Sequence, residues 1–201
     1  MNNLVDPELD KYQRDSKYQA IAKNRCLLLS THMGSSDPFI VYPRTINHIA
    51  VSVSNLEEAI KWYQDILGFT LIKQPIELVA DDSLTGMAVK DFHSRKLKKM
   101  KIAWLTSANQ VGFEIIEYVE PKAERRADSF EYWKSGITHI SVTDPDIEGL
   151  CKRISDSGGK QRSKIWEIVP DKHYKVAFCE DPFGNIIEIY DHSYEQLILS
   201  L

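Results

Sequence analysis

Two short stretches of the chain carry side chains suited to holding a metal ion. Ile46-Asn47-His48-Ile49-Ala50-Val51-Ser52-Val53 is rich in β-branched residues and has a histidine near its start; Ile137-Thr138-His139-Ile140-Ser141-Val142 repeats it later. Laying His48 on His139 also matches Ile46 with Ile137, Ile49 with Ile140, Val51 with Val142, and Leu56-Glu57 with Ile147-Glu148. A repeat that keeps a histidine at the same place implies two equivalent modules presenting their imidazoles to one place. Each module closes on an apolar segment interrupted by glutamate. The first reads Gly112-Phe113-Glu114-Ile115-Ile116-Glu117-Tyr118, the second Gly184-Asn185-Ile186-Ile187-Glu188-Ile189-Tyr190. A carboxylate set between isoleucines is costly to bury unless it is paired or bound to a cation. One histidine and one glutamate from each module make a set of two nitrogens and two oxygens. Such a set suits a borderline divalent ion (Zn, Ni, Co, Mn or Fe(II)) and leaves positions open for water or substrate. In the first module the glutamate stays open: Glu114 and Glu117 face opposite sides of a strand. Register against the second module, where Glu188 follows Ile186-Ile187, favours Glu117. His32, His93, His173 and His192 fall in presumed loops or at strand ends and read as surface residues. Of these, His173 and His192 are best placed to touch a substrate.

The elements that must position these residues follow from periodicity and punctuation. A strand over Thr45 to Val53 carries His48. Asn55 is placed to cap a helix, with Glu58 as its reciprocal partner. Leu56, Ile60, Tyr63 and Leu67 give that helix one apolar stripe, and Gly68 can end it in a left-handed conformation. Phe69 to Ile72 reads as a second strand. Residues 74–100 mix Pro75, Asp81-Asp82, Gly86 and the basic run Arg95-Lys96-Leu97-Lys98-Lys99, and that run reads as a solvated face. Lys101 to Thr106 and Val111 to Val119 form a strand pair. After a polar linker whose Phe130, Tyr132 and Trp133 are candidates to cover the core, the order repeats. A strand over Ile137 to Val142 leads into a helix starting at Asp144-Pro145. That helix carries Ile147, Leu150, Cys151 and Ile154 and stops at Ser157-Gly158-Gly159. Strands follow at Lys160 to Ser163, Lys175 to Cys179 and Asn185 to Tyr190, the last two joined by the turn Asp181-Pro182-Phe183-Gly184-Asn185.

The expected fold is therefore α+β: two βαβββ modules forming one cupped mixed β-sheet with helices outside, plus an N-terminal helical extension. The extension covers residues 1–44, with an amphipathic helix between Glu8 and Leu29. Residues 45–192 form the domain (module one 45–120, linker 121–135, module two 136–192), and 193–201 form a tail.

Composition narrows the function. A net charge of -4 leaves no basic footprint for nucleic acid. Apolar runs are too short for a bilayer span, and Met1-Asn2-Asn3-Leu4-Val5-Asp6 lacks the build of a secretory signal. Cys26, Cys151 and Cys179 are widely spaced with no CxxC pair, which points away from a disulfide framework or a cysteine zinc site. A reducing, cytoplasmic compartment is expected.

Over residues 45–192 the chain resembles the vicinal oxygen chelate superfamily, which includes glyoxalase I, methylmalonyl-CoA epimerase, extradiol dioxygenases, fosfomycin-resistance enzymes and bleomycin-binding proteins. The resemblance rests on five stretches. They are Asn47-His48-Ile49-Ala50-Val51; Leu56 to Tyr63 running on to Leu67-Gly68-Phe69; Phe113-Glu114-Ile115-Ile116; Gly136 to Ile140; and Glu180 to Glu188. It implies His48, Glu114, His139 and Glu188 as metal ligands, choosing Glu114 over Glu117. It further implies an ion that chelates adjacent substrate oxygens and stabilises negative charge developing there, with Glu188 or Glu114 moving a proton. A His, Glu, His, Glu set resembles the glyoxalase and epimerase branch. The expected activity is thus a metal-dependent lyase or isomerase forming an enolate or enediolate of a small oxygenated substrate, with Zn, Ni, Co or Mn bound and a homodimer possible. The alternatives are an Fe(II)-dependent dioxygenase, ring-cleaving or related, and a non-catalytic small-molecule-binding protein. The glyoxalase I signature Asn-Trp-Gly is absent after the first glutamate, where the chain reads Glu117-Tyr118-Val119-Glu120-Pro121.

Overall fold

A parallel pairing organises each half of the molecule. The structure, a computed structural model, describes residues 44–124 and 132–201. The helix expected between Glu8 and Leu29, His32, Cys26 and Phe130 lie outside the described residues. The first module runs β1 (His48–Val53), α1 (Leu56–Leu67), β2 (Thr70–Val79), α2 (Leu84–Phe92), β3 (Lys99–Thr106) and β4 (Gly112–Glu120). Its sheet has the order β1-β4-β3-β2, with β1 parallel to β4. The second module runs β5 (Ile140–Thr143), α3 (Ile147–Asp156), β6 (Lys160–Gln161), β7 (Trp166–Val169), β8 (Tyr174–Glu180) and β9 (Ile186–Tyr190), followed by α4 (Tyr194–Ile198). Its order is β5-β9-β8-β6, with β7 also paired to β8 and β5 parallel to β9. The α+β class and the two βαβββ modules stand as the sequence implies. The strands form two mixed sheets, one for each module, and the strand that begins at His48 or just after His139 is an edge of its sheet.

Local chemistry accounts for the boundaries. The Asn55 side chain accepts the Glu58 N–H and closes the start of α1, and Gly68 ends it at φ 67°. The second helix starts later than Asp144-Pro145. Asp144 instead accepts the N–H of Asp146, and Asp146 caps α3 through the Gly149 N–H. Residues 74–100 hold more order than their mixed composition suggests. β2 runs on through Pro75, which an edge strand tolerates, and Ser83 caps α2 by accepting the Gly86 N–H. Within the basic run, Leu97 is buried while its neighbours stay near the surface. β7 and α4 are further additions, α4 opening on a capping box of Ser193 and Gln196. Tyr132 and Trp133 are exposed and do not cover the core.

One apolar core joins the modules. It holds Val53, Leu56, Tyr63, Phe113 and Ile115 from the first and Ile147, Leu150, Ile154, Ile187 and Ile189 from the second. A smaller cluster of Val89, Leu97, Met100, Ile102 and Ile116 lies on the opposite face of the first sheet, under α2. Among the described residues no helix is long and apolar enough to cross a membrane.

Polar contacts fasten the modules where the core alone would let them slide. The Tyr63 hydroxyl donates to Asp181 at 2.6 Å, and the Trp62 indole N–H donates to the Ser157 hydroxyl at 3.0 Å. Asp181 is fully buried and also accepts the N–H groups of Phe183 and Asn185 and the Asn185 side-chain amide. Burial pushes the Asp181 carboxyl up despite these bonds, and burial beside Asp181 holds the Tyr63 phenol well above its usual range. Tyr63→Phe keeps the ring and its packing but removes one donor from a buried carboxylate. The variant is expected to unfold about 1–3 kcal/mol more easily in urea, with the fold otherwise unchanged.

Candidate metal centre

Strand register puts one histidine and one glutamate on the same face of each sheet. In the first, Ala50 lies opposite Glu114 and His48 opposite Gly112, so the His48 and Glu114 side chains share a face. His48 Nε2 is 3.7 Å from Glu114 Oε2. In the second, Ser141 lies opposite Glu188, and His139 stands one residue ahead of β5, not within it. Its Nε2 is 3.1 Å from Glu188 Oε2. These faces are turned away from the shared core, which takes the alternate residues Ile49, Val51, Phe113 and Ile115 in one sheet and Ile140, Ile187 and Ile189 in the other.

Contacts at matching places, though from different side chains, surround both pairs. His48 Nδ1 is 2.8 Å from the Asn47 side-chain oxygen, and His139 Nδ1 is 2.9 Å from the Thr138 hydroxyl. An Nδ1 held by a neighbour leaves Nε2 for the site. On the carboxylate side, the Trp104 indole N–H donates to Glu114 Oε1 at 3.0 Å, and the Tyr190 hydroxyl donates to Glu188 Oε1 at 2.9 Å. Burial, with Glu188 adding to it, pushes the Tyr190 phenol up to about 12, so it stays a proton donor at neutral pH. The Glu114 side chain keeps 23% of its surface exposed and that of Glu188 keeps 12%. Phe178 meets the His139 ring edge to face at 5.5 Å.

Glu117 takes no part in this arrangement. It lies beside Val53 on the helix-facing side, accepts the Leu56 N–H at 2.9 Å and stands 3.6 Å from the Lys101 ammonium. It therefore serves the first turn of α1. His173 pairs with Glu167, His192 stacks on Tyr174 and contacts Asp191, and His93 lies against Tyr118. None of the three meets either histidine–glutamate pair.

The chain thus brings the four residues together as two pairs. Among the described residues no three His, Cys, Asp or Glu side chains are gathered closely enough to hold one ion. A cleft of about 410 Å³ lies between β1 and the approach to β5, lined by Ala50, Ser52, Thr138, His139 and Asn185 among others. Sequence reasoning missed Asn47, Thr138, Trp104 and Tyr190. The first two directly precede the histidines at repeat-equivalent places, which is a readable signal. Tyr190 shares a face with Glu188 by alternation, but Trp104 meets Glu114 only through strand pairing.

Comparison with known proteins bears on the whole of this region. The Glyoxalase family, described as the Glyoxalase/Bleomycin resistance protein/Dioxygenase superfamily, matches residues 45–189. The chain belongs to this superfamily. It is 27% identical over 148 residues to a probable lactoylglutathione lyase of Synechocystis, covering 73% of this chain and 94% of that protein. It is 25% identical over 143 residues to a lactoylglutathione lyase of Neisseria meningitidis, covering 70% and 86%. Among solved structures, a glyoxalase family protein from Bacillus cereus matches with a TM-score of 0.59 at 15% identity, covering 76% of this chain and 96% of that one. The superfamily match spans both modules, so the duplicated architecture is the shared part.

The division of labour between the two glutamates can be measured. Glu117→Gln should destabilise the protein by about 0.5–2 kcal/mol in thermal or urea unfolding, because it weakens the hold on the first turn of α1. Glu114→Gln should leave α1 intact, since among the described residues its carboxylate meets Trp104 and His48 and no part of α1.

Proposed function

We propose that the protein is a metal-dependent lyase or isomerase of the glyoxalase type, with His48, Glu114, His139 and Glu188 as the ligands of one divalent ion. The observation that carries this reading is the matched pair of histidine–glutamate contacts, each with its Nδ1 and its second carboxylate oxygen already tied to a neighbour. Two imidazole nitrogens and two carboxylate oxygens fit Zn, Ni, Co or Mn. When bound, such an ion supplies Lewis-acid stabilisation of negative charge on adjacent substrate oxygens. The chain's own residues orient and desolvate the site and move the proton. Glu188 is the better placed to do so: it is the less exposed carboxylate, and Tyr190 steadies its Oε1 while Oε2 faces the site. The relatives named lactoylglutathione lyase support a small 2-oxoaldehyde-derived thiol adduct as substrate. The fosfomycin resistance protein of Listeria monocytogenes, at a TM-score of 0.50 and 14% identity, was crystallised with Mn(II) and so supports only that this fold can carry such an ion.

The site is completed between two copies of the chain. One chain offers its ligands as two separate pairs, and β1 and β5 are each an edge strand beside one pair. Joining the β1 edge of one copy to the β5 edge of another sets a His48–Glu114 pair against a His139–Glu188 pair.

Elemental analysis of protein purified without chelator or affinity metal should find about one ion of Zn, Ni, Co or Mn per chain, and none in His139→Ala, with circular dichroism unchanged. Stoichiometric metal retained in that variant would sink the ligand assignment. Iron together with dioxygen uptake would instead place the protein with the Fe(II) dioxygenases, and absence of any metal after re-metallation with the binding proteins. Mixing His48→Ala and His139→Ala chains after partial unfolding should restore metal to about half the sites formed in mixed pairs. No recovery would show that one chain closes the site alone.

A further inference from the structure

Two thiols meet in the shared core, on the side of the second sheet opposite to the face that carries Glu188. Cys151 on α3 and Cys179 on β8 are fully buried and unbridged, and their sulfurs stand 3.7 Å apart across 28 residues of chain. The path of the chain brings them together. After α3 the backbone turns at Gly158-Gly159, and β6 runs back along β8 with Lys160 opposite Glu180 and Gln161 opposite Cys179. A Cβ on Gly159 would stand 2.6 Å from the Glu180 carbonyl oxygen, so the end of α3 rests directly on β8 beside Cys179. Ser157, which closes α3, is held in turn by the Trp62 indole N–H from the first module.

The two sulfurs are chemically unlike. The Cys179 thiol donates to the Cys151 sulfur, and this contact draws the Cys151 thiol below its ordinary range. The same contact, together with burial, pushes the Cys179 thiol up. Cys151 is therefore the nucleophile of the pair and Cys179 the partner that resolves it. α3 is an outer helix whose Lys152, Arg153 and Asp156 face solvent. Local opening of this one helix admits a small, neutral oxidant to the sulfurs.

We propose that Cys151 and Cys179 are a reversible redox pair that peroxide closes into a disulfide, stapling α3 to β8. The Cys151 thiolate attacks hydrogen peroxide, the O–O bond breaks, and the sulfur becomes a sulfenic acid. The hydroxide that leaves takes up the proton Cys151 gave up and forms water. The Cys179 sulfur then attacks the Cys151 sulfur, and the hydroxyl leaves as a second water with the Cys179 proton. Two thiols lose two electrons, and one peroxide is reduced to two waters. β8 carries Phe178 on its other face, against the His139 ring and opposite Glu188. The staple thus fixes the strand behind the second histidine–glutamate pair, and it stands whether or not that pair binds metal.

The test exposes the full-length, reduced protein to hydrogen peroxide, quenches it in acid and alkylates it under denaturing conditions. Mass mapping should find a peptide linked through Cys151 and Cys179, two hydrogens lighter than its separate parts and released by dithiothreitol. The oxidised protein should melt about 5–10 °C higher than the reduced one. Cys26→Ser, which removes the remaining cysteine of the chain, should leave both results unchanged. Full alkylation of both core cysteines, a sulfinic acid on either without a link, or a link from Cys26 to one of them would overturn the proposal. So would a linked protein that melts no higher than the reduced form.

Discussion

The parallel pairing of β1 with β4, and of β5 with β9, is the constraint on which the rest depends. In a parallel pair, a residue's face is decided by its partner strand's phase. One residue of slip would send His48 and Glu114 into the helix-side core and bring Val51 and Ile115 out to solvent. The apolar alternation of both strands makes that slip costly, because Phe113, Ile115, Ile187 and Ile189 are all buried on one side. The core thereby fixes where the polar residues must point. The same logic explains why the helices begin where they do: α1 starts directly after β1, and Glu117, facing the helix side of β4, is at hand to hold its first turn.

Burial of polar groups in this molecule is local and complete. Asp181 sits within a ring of four donors, and among the described residues no buried side-chain nitrogen or oxygen lacks a partner. The turn that carries Asp181 lies between β8 and β9, so the contact made by Tyr63 of the first module reaches the base of the strand that bears Glu188. A single phenol thus couples the first helix to the turn that sets the second glutamate strand.

Much of this was legible in the residues. The repeat around His48 and His139 gave two modules, and the caps at Asn55 and Gly68 gave α1 almost to the residue. Other parts were not, for identifiable reasons. α2 was hidden because Asp81-Asp82 and Gly86 read as a loop, although Ser83 and Gly86 are themselves the cap of that helix. β2 was cut short at Ile72 because its bulges break the period-two pattern that reveals strands. That Glu114 shares a face with His48 while Glu117 faces the helix side is a long-range fact of strand pairing, which alignment of the two halves does not carry. That the four side chains form two pairs within a chain is a property of how the modules pack, and no spacing in the sequence encodes it.

The two carboxylates are supported by different chemical groups, and this divides a duplicated structure into unlike ends. An indole N–H gives its hydrogen bond to Glu114 and can do nothing more at any pH the protein meets. A phenol both donates and accepts, so the Tyr190 oxygen can also take a hydrogen bond, which the Trp104 indole nitrogen cannot. The difference lies in a single pair of outer residues, Trp104 and Tyr190, set behind otherwise equivalent histidine–glutamate pairs.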